Sequence, residues 1–135
     1  MKVFIDTNVI LDVLYKRKDF YEDSLKVWKL CETRQIDGYI SALSIPNIVY
    51  VLRKEIDPIK TLEVIKSIDL IFNIYDLKKD VIMEAAHAKS DDFEDAIQAV
   101  TASKVKAEYI ITRNVKDYKN STIKAIEPSE FVKNY

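Results

Sequence analysis

Short apolar runs of strand length alternate along this chain with longer stretches of helical periodicity, and that rhythm narrows the fold more than any other feature. It predicts strands at 2–5 and about 39–42, 70–75, 108–112 and 122–126. Between them it predicts helices at about 8–16, 20–34, 45–54, 58–68, 78–89 and 92–104, with a short helix at the end. Such alternation implies an α/β fold with a parallel sheet, because each parallel step needs a crossover and the crossover helices cover both faces. The helix at 20–34 illustrates the pattern: Tyr21, Leu25, Trp28, Leu30 and Cys31 form an apolar stripe that packs inward, and Asp37-Gly38 then reads as a turn.

A chain of 135 residues that is 48% hydrophobic can supply a core without metal or disulfide staples, so a single domain spanning 1–135 is expected. One glycine and three prolines leave little material for long loops. Cys31 is the only cysteine, which rules out an internal disulfide. Nothing at the amino terminus reads as a signal peptide or membrane span, and a cytoplasmic setting with no membrane partner is expected. Lysine and arginine number 21 against 22 acids, so the net charge of −1 gives no global field to attract nucleic acid. The clusters Lys16-Arg17-Lys18, Arg53-Lys54, Lys78-Lys79 and Lys104/Lys106 each read, taken singly, as solvated faces. His87 has no second imidazole anywhere in the chain, which leaves a histidine metal cluster or a Ser-His-Asp triad unsupported; it reads as a surface helix residue.

Three segments carry polar chemistry. The first strand runs straight into Asp6-Thr7-Asn8, and a carboxylate at the carboxyl end of a parallel strand lies on the edge where open α/β sheets bind ligands. The second is Ser90-Asp91-Asp92-Phe93-Glu94-Asp95-Ala96-Ile97, which opens a helix. There Asp91 and Glu94 match a capping box, whereas Asp92 and Asp95, three apart, share a face. Like charges that close raise one another's pKa unless a cation neutralises them, although on an exposed first turn the cost is small. The third segment, Glu108 to Tyr118, is a strand ending in Thr112, Asn114 and Asp117 on the same carboxyl edge.

Taken in order, Asp6-Thr7-Asn8-Val9-Ile10-Leu11-Asp12, Ile40-Ser41-Ala42-Leu43-Ser44-Ile45, Phe93-Glu94-Asp95-Ala96-Ile97-Gln98 and Ile111-Thr112-Arg113-Asn114 resemble the PIN-domain family, which includes the VapC-type toxin ribonucleases. The resemblance implies a three-layer α/β/α sandwich with a central, mostly parallel sheet of four or five strands. It implies an acidic pocket for Mg²⁺ or Mn²⁺ and hydrolysis of RNA phosphodiesters to 5′-phosphate and 3′-hydroxyl ends. Single-stranded RNA is the expected target, since its bases can be splayed into a pocket. An antitoxin protein and a second copy of the chain are the implied partners, with the homodimer face expected on the first two helices.

Residue by residue, Asp6 matches the family's first metal-binding aspartate, Asp95 the aspartate of its Asp-Ala helix start, and Thr112 the hydroxyl that orders the pocket. Two positions depart: Asn47 stands where the family carries glutamate, and Asn114 where it carries aspartate. Asn47, three after Ser44, can serve a helix amino terminus, and an amide oxygen can hold Mg²⁺ or its water without countering its charge. Asp92 and Asp117 are placed to fill the gap. The expected metal and catalytic set is therefore Asp6, Asp92, Asp95 and Asp117, with Asn8, Asn47 and Asn114 orienting waters and Thr112 in support. With a cation activating water, such a site needs no protein nucleophile.

Other classes fit less well. A haloacid-dehalogenase-type phosphatase needs a second aspartate where Asn8 stands, and an amide cannot act as its general acid. A receiver domain shares the architecture alone. The serious rival is a catalytically weak or inactive RNA-binding or protein-binding module, left by two amides in place of acids.

Overall fold

The computed structural model describes residues 1–135. Val3, Phe4 and Ile5 are all fully buried, which is what a strand covered on both faces requires. This strand, β1 (Lys2–Ile5), is the centre of a five-stranded sheet completed by β2 (Asp37–Ser41), β3 (Asn73–Tyr75), β4 (Tyr109–Ile111) and β5 (Lys124–Ile126). The order is β3-β2-β1-β4-β5 and every pairing is parallel. The helices are α1 (Thr7–Leu14), α2 (Tyr21–Glu32), α3 (Ser44–Leu52), α4 (Pro58–Ile71), α5 (Lys79–Ala86), α6 (Phe93–Lys104) and α7 (Pro128–Asn134). A 3₁₀ turn, Val115–Tyr118, lies between β4 and β5 and was not foreseen from the sequence.

Alternation along each strand divides the core into layers. Val3, Ile5, Ile40 and Ile111 face one way, against Val9 and Ile10 of α1, Val27 and Cys31 of α2, Ile48 of α3, Ile68 of α4 and Phe131 of α7. Phe4 and Ile110 face the other way, against Ala102, Val105 and Tyr118. A third cluster of Val81, Ala85, Ala96 and Ile97 joins α5 to α6. The α/β/α sandwich with a parallel sheet is as expected, and no helix is long and apolar enough to cross a membrane.

The innermost face of α2 is Ser24, Val27 and Cys31, while Tyr21, Leu25, Trp28 and Leu30 are only half-buried; Trp28 meets Phe72 edge-on with ring centroids 5.0 Å apart. Asp37-Gly38 is not a turn but the start of β2, paired with Lys2 and Val3. The reversal falls earlier, where Arg34 takes a φ of 62°. Gly38 is needed for space: a β-carbon there would stand 2.5 Å from Cys31 Sγ and 3.0 Å from the Phe72 ring. On the first two helices the large apolar side chains are buried or half-buried, and the exposed ones of the helical layer include Tyr50, Ile59, Leu62 and Leu70 on α3 and α4.

The chain leaves β1 for β2 on one side and returns to β4 on the other, so the sheet's connections diverge at the carboxyl end of β1. Open α/β sheets carry their ligand crevice at such a switch point. Asp6 is the next residue.

Candidate functional site

Asp6 is held by its backbone, whose N–H donates to the Ile111 carbonyl at 3.0 Å. The β1–β4 register sets Ile5 beside Ile111 and thereby brings Thr112 level with Asp6. The Thr112 hydroxyl, fully buried, donates to Asp6 Oδ2 at 2.7 Å and accepts the Asn114 N–H at 3.0 Å. Burial raises the Asp6 pKa above the usual carboxylate value; Thr112, Tyr118 and the amides of Thr7 and Asn8 oppose that shift by favouring the charged form. Asn8 therefore sits at Asp6 through its backbone, in the first turn of α1.

Asp95 projects from the first turn of α6. It is half-buried, and its pKa is pushed up to about 7, first by loss of solvent and then by the charges of Asp92, Asp117, Asp6 and Glu94. Acids that follow β1, open α6 and sit in the 3₁₀ turn are thus near enough to Asp95 to act on its charge. Asp92 and Asp117 themselves are exposed. Asp92 also caps α6, with Oδ1 accepting the Asp95 N–H at 3.0 Å. The capping box expected from Asp91 and Glu94 does not form: the cap falls one residue later, and Glu94 reaches across to α3, where Oε2 lies 3.5 Å from the Asn47 amide nitrogen. Asn47 makes no cap of α3. The glutamate on α6 thus brings a carboxylate to the place where α3 carries an amide.

Several contributors were not read from the sequence. Burial raises the Tyr118 pKa, and the nearby charges of Asp6, Asp95 and Asp117 add to it; its hydroxyl interacts with Asp6 yet has no full hydrogen bond. Gln98, one turn on from Asp95, donates to Thr7 Oγ1 at 3.1 Å and Ser44 Oγ at 3.4 Å, while those two hydroxyls are 2.7 Å apart. This seam ties α1, α3 and α6 together beneath the acids. Asp12, with no exposed surface, accepts from Arg113 Nε at 2.7 Å and Arg17 Nη1 at 3.2 Å, anchoring the segment that follows Thr112 to α1. Only their spatial neighbours give these residues meaning, except that Arg113 directly follows Thr112 in sequence.

Asp92, Asp95 and Asp117 open onto a groove of about 760 Å³ between the α5–α6 connection and the 3₁₀ turn. The donor set is entirely hard oxygen, as Mg²⁺ or Mn²⁺ demands, and the mutual elevation at Asp95 marks charge that no residue neutralises. No three acidic, histidine or cysteine side chains converge as a ready-made cage. Mg²⁺ does not require one, because it keeps several waters and binds through one or two carboxylates plus substrate phosphate. The residues therefore fit such an ion.

A family model described as PIN domain matches residues 2–116. Ribonuclease VapC1 of Aquifex aeolicus is 29% identical over 135 residues, covering 96% of this chain and 92% of that protein. Among solved structures, VapBC2 from Rickettsia felis, bound to a promoter DNA fragment, superposes with a TM-score of 0.70 at 16% identity, covering 94% of this chain and 98% of that one. Mycobacterium tuberculosis VapC20, described as a Sarcin-Ricin loop cleaving toxin, gives a TM-score of 0.68 at 10% identity, with 90% and 98% covered.

Proposed function

Because the chain belongs to the PIN-domain family, we propose that it is a Mg²⁺- or Mn²⁺-dependent endoribonuclease acting on single-stranded RNA, as the toxin of a toxin–antitoxin pair. What supports this reading is that Asp92, Asp117 and Asp6 all bear on the charge of Asp95 beside the sheet's switch point, with Asp92, Asp95 and Asp117 lining one groove. The ribonuclease name of the Aquifex relative and the description of VapC20 as a toxin point the same way.

In this reading Asp6 and Asp95 hold the ion, and Asp92 and Asp117 act directly or through water. A bound divalent ion supplies positive charge for the phosphate and lowers the pKa of a coordinated water. Thr112 keeps Asp6 oriented and charged at 2.7 Å. Asn8, Asn47 and Asn114 align waters, and Glu94, 3.5 Å from Asn47, restores the charge that the amide lacks. Water adds to phosphorus while the bond to the 3′ oxygen breaks; that oxygen leaves as the 3′-hydroxyl of the upstream fragment, and the phosphate stays on the 5′ end of the downstream fragment. An antitoxin protein is the proposed partner, and the apolar face of α3 and α4 is the proposed site of self-association.

Incubation with Mn²⁺ and a fluorescent single-stranded RNA tests the reading: the protein should cleave it, and Asp6→Asn should not. Equal rates in both would expose a contaminant. The amides at Asn47 and Asn114 favour one alternative, a non-catalytic RNA- or protein-binding module; intact RNA binding with no cleavage in either metal would select it.

A further inference from the structure

We infer that the groove beside the acidic cluster seats one nucleotide of single-stranded RNA next to the phosphate to be cleaved, and that residues 119–122 help to choose its base. This rests on the nuclease reading and adds where the substrate lies.

The groove holds about 760 Å³, within the range of sites that enclose small ligands. Its floor is one face of α6: from Asp95 it passes Ala96, Ala99 and Val100 to Ser103. The eight steps from Asp95 to Ser103 span about 12 Å at a rise of about 1.5 Å each. Between Asp95 and Ser103 the floor residues are the short, apolar Ala96, Ala99 and Val100, which suits the face of a base. The walls differ in chemistry. One is the α5–α6 connection with His87 and Lys89; the other is the 3₁₀ turn and the residues after it, with Lys116 and Lys119. Asn120 Nδ2 donates to the Lys89 carbonyl at 2.8 Å and joins the two walls.

Charge and hydrogen-bonding capacity fit a nucleotide. The carboxylates Asp91, Asp92, Asp95 and Asp117 line the end where the cation would bind, while Glu84 is paired with Lys104 at 3.4 Å. That leaves Lys89, Lys116 and Lys119 to receive phosphate oxygens. Tyr118 lines the same space, with its hydroxyl buried toward Asp6. Ser121 Oγ accepts the Ile123 N–H at 3.1 Å, so its own proton is free to donate, and Thr122 stands next to it. Polar groups at the edge of an apolar floor are what reading an unstacked base requires. A base still paired in a duplex cannot enter between two walls.

The test is a ¹⁵N amide titration with the four 5′-ribonucleoside monophosphates, and inorganic phosphate as control, all in Mg²⁺. Nucleotides should shift the amides of Ala99, Val100 and 120–122, to an extent that differs among the bases, whereas phosphate should shift only those around Asp95 and Asp117. Ala99→Phe, which fills the floor, should weaken nucleotide binding at least tenfold and leave the phosphate response intact. The inference fails if nucleotides shift only what phosphate shifts, or if Ala99→Phe binds them as the wild type does. Should Ala99→Phe not fold, the wild-type map decides alone. Base-dependent shifts in a protein that cleaves no RNA would sustain the subsite and overturn the nuclease reading; cleavage with no shifts in the groove would do the reverse.

Discussion

At the scale of single residues, Asp95 is where the cost of the site is concentrated. Its carboxyl keeps its proton up to about pH 7 in the folded chain, against an ordinary value of 3.8. Between those two values the native state binds the extra proton, so stability falls as pH rises through that window, and the loss is complete above about 7. Asp95→Asn removes the charge. Without metal, the variant should melt higher than the wild type at pH 8, by a few degrees, and the gap should close as pH approaches 4. Mn²⁺ should raise the wild-type Tm at pH 8 and leave the variant's nearly unchanged. A variant that melts no higher than wild type at pH 8 would contradict this account. Tyr118 makes the complementary case. Its hydroxyl has no full partner, so Tyr118→Phe should change stability by less than about 1 kcal/mol. That hydroxyl nevertheless favours the charged form of Asp6. Losing it should move the pH of half-maximal Mn²⁺ binding upward, which calorimetric titration across pH can read.

At the scale of elements, the sequence was most informative where one period dominated. The alternation of strands and helices identified every regular element except the 3₁₀ turn, and Asp6 and Asp95 could be placed because a strand end and a helix start are local features. What escaped were contacts between elements: Glu94 reaching Asn47, Gln98 bridging Thr7 and Ser44, and Arg113 reaching Asp12 across 101 residues. Gly38 was misread for the same reason. Gly-containing pairs favour turns locally, but here the missing side chain makes room for Cys31 from another element. Gly38→Ala should therefore cost about 1–3 kcal/mol by overpacking, and pairing it with Cys31→Ala should recover part of the loss in urea denaturation. The Asp12 clamp yields a second expectation. Arg113 makes the shorter contact and is itself the more buried of the two arginines. Arg113→Ala should cost about 3 kcal/mol by leaving a buried carboxylate short of a partner. Arg17→Ala should cost less than about 1 kcal/mol, because its guanidinium is more exposed and pairs at 3.2 Å. Equal urea midpoints for the two variants would rule out this ranking.

At the scale of the whole molecule, a net charge of −1 gives no field to draw RNA in from a distance, so the RNA binding proposed above must depend on a few local cations. That has a measurable signature, since each phosphate neutralised on a single strand contributes about −0.7 to the slope of log affinity against log salt. Lys89, Lys116 and Lys119 line the groove, and three such contacts give a slope of about −2. The measurement needs a protein that binds without cutting. Asp6→Asn with a labelled single-stranded hexanucleotide at fixed Mg²⁺, followed by anisotropy over a range of KCl, provides one. Adding Lys116→Ala and Lys119→Ala to that background should lower the slope to about −0.7 and weaken binding for all sequences alike, because contacts to phosphate carry no base information. Thr122→Val should leave the slope unchanged and alter the preference among bases instead. A slope much steeper than about −2, unaffected by the two lysine changes, would mean that RNA lies along a different face, with Lys16, Arg17 and Lys18 the next cationic stretch to examine.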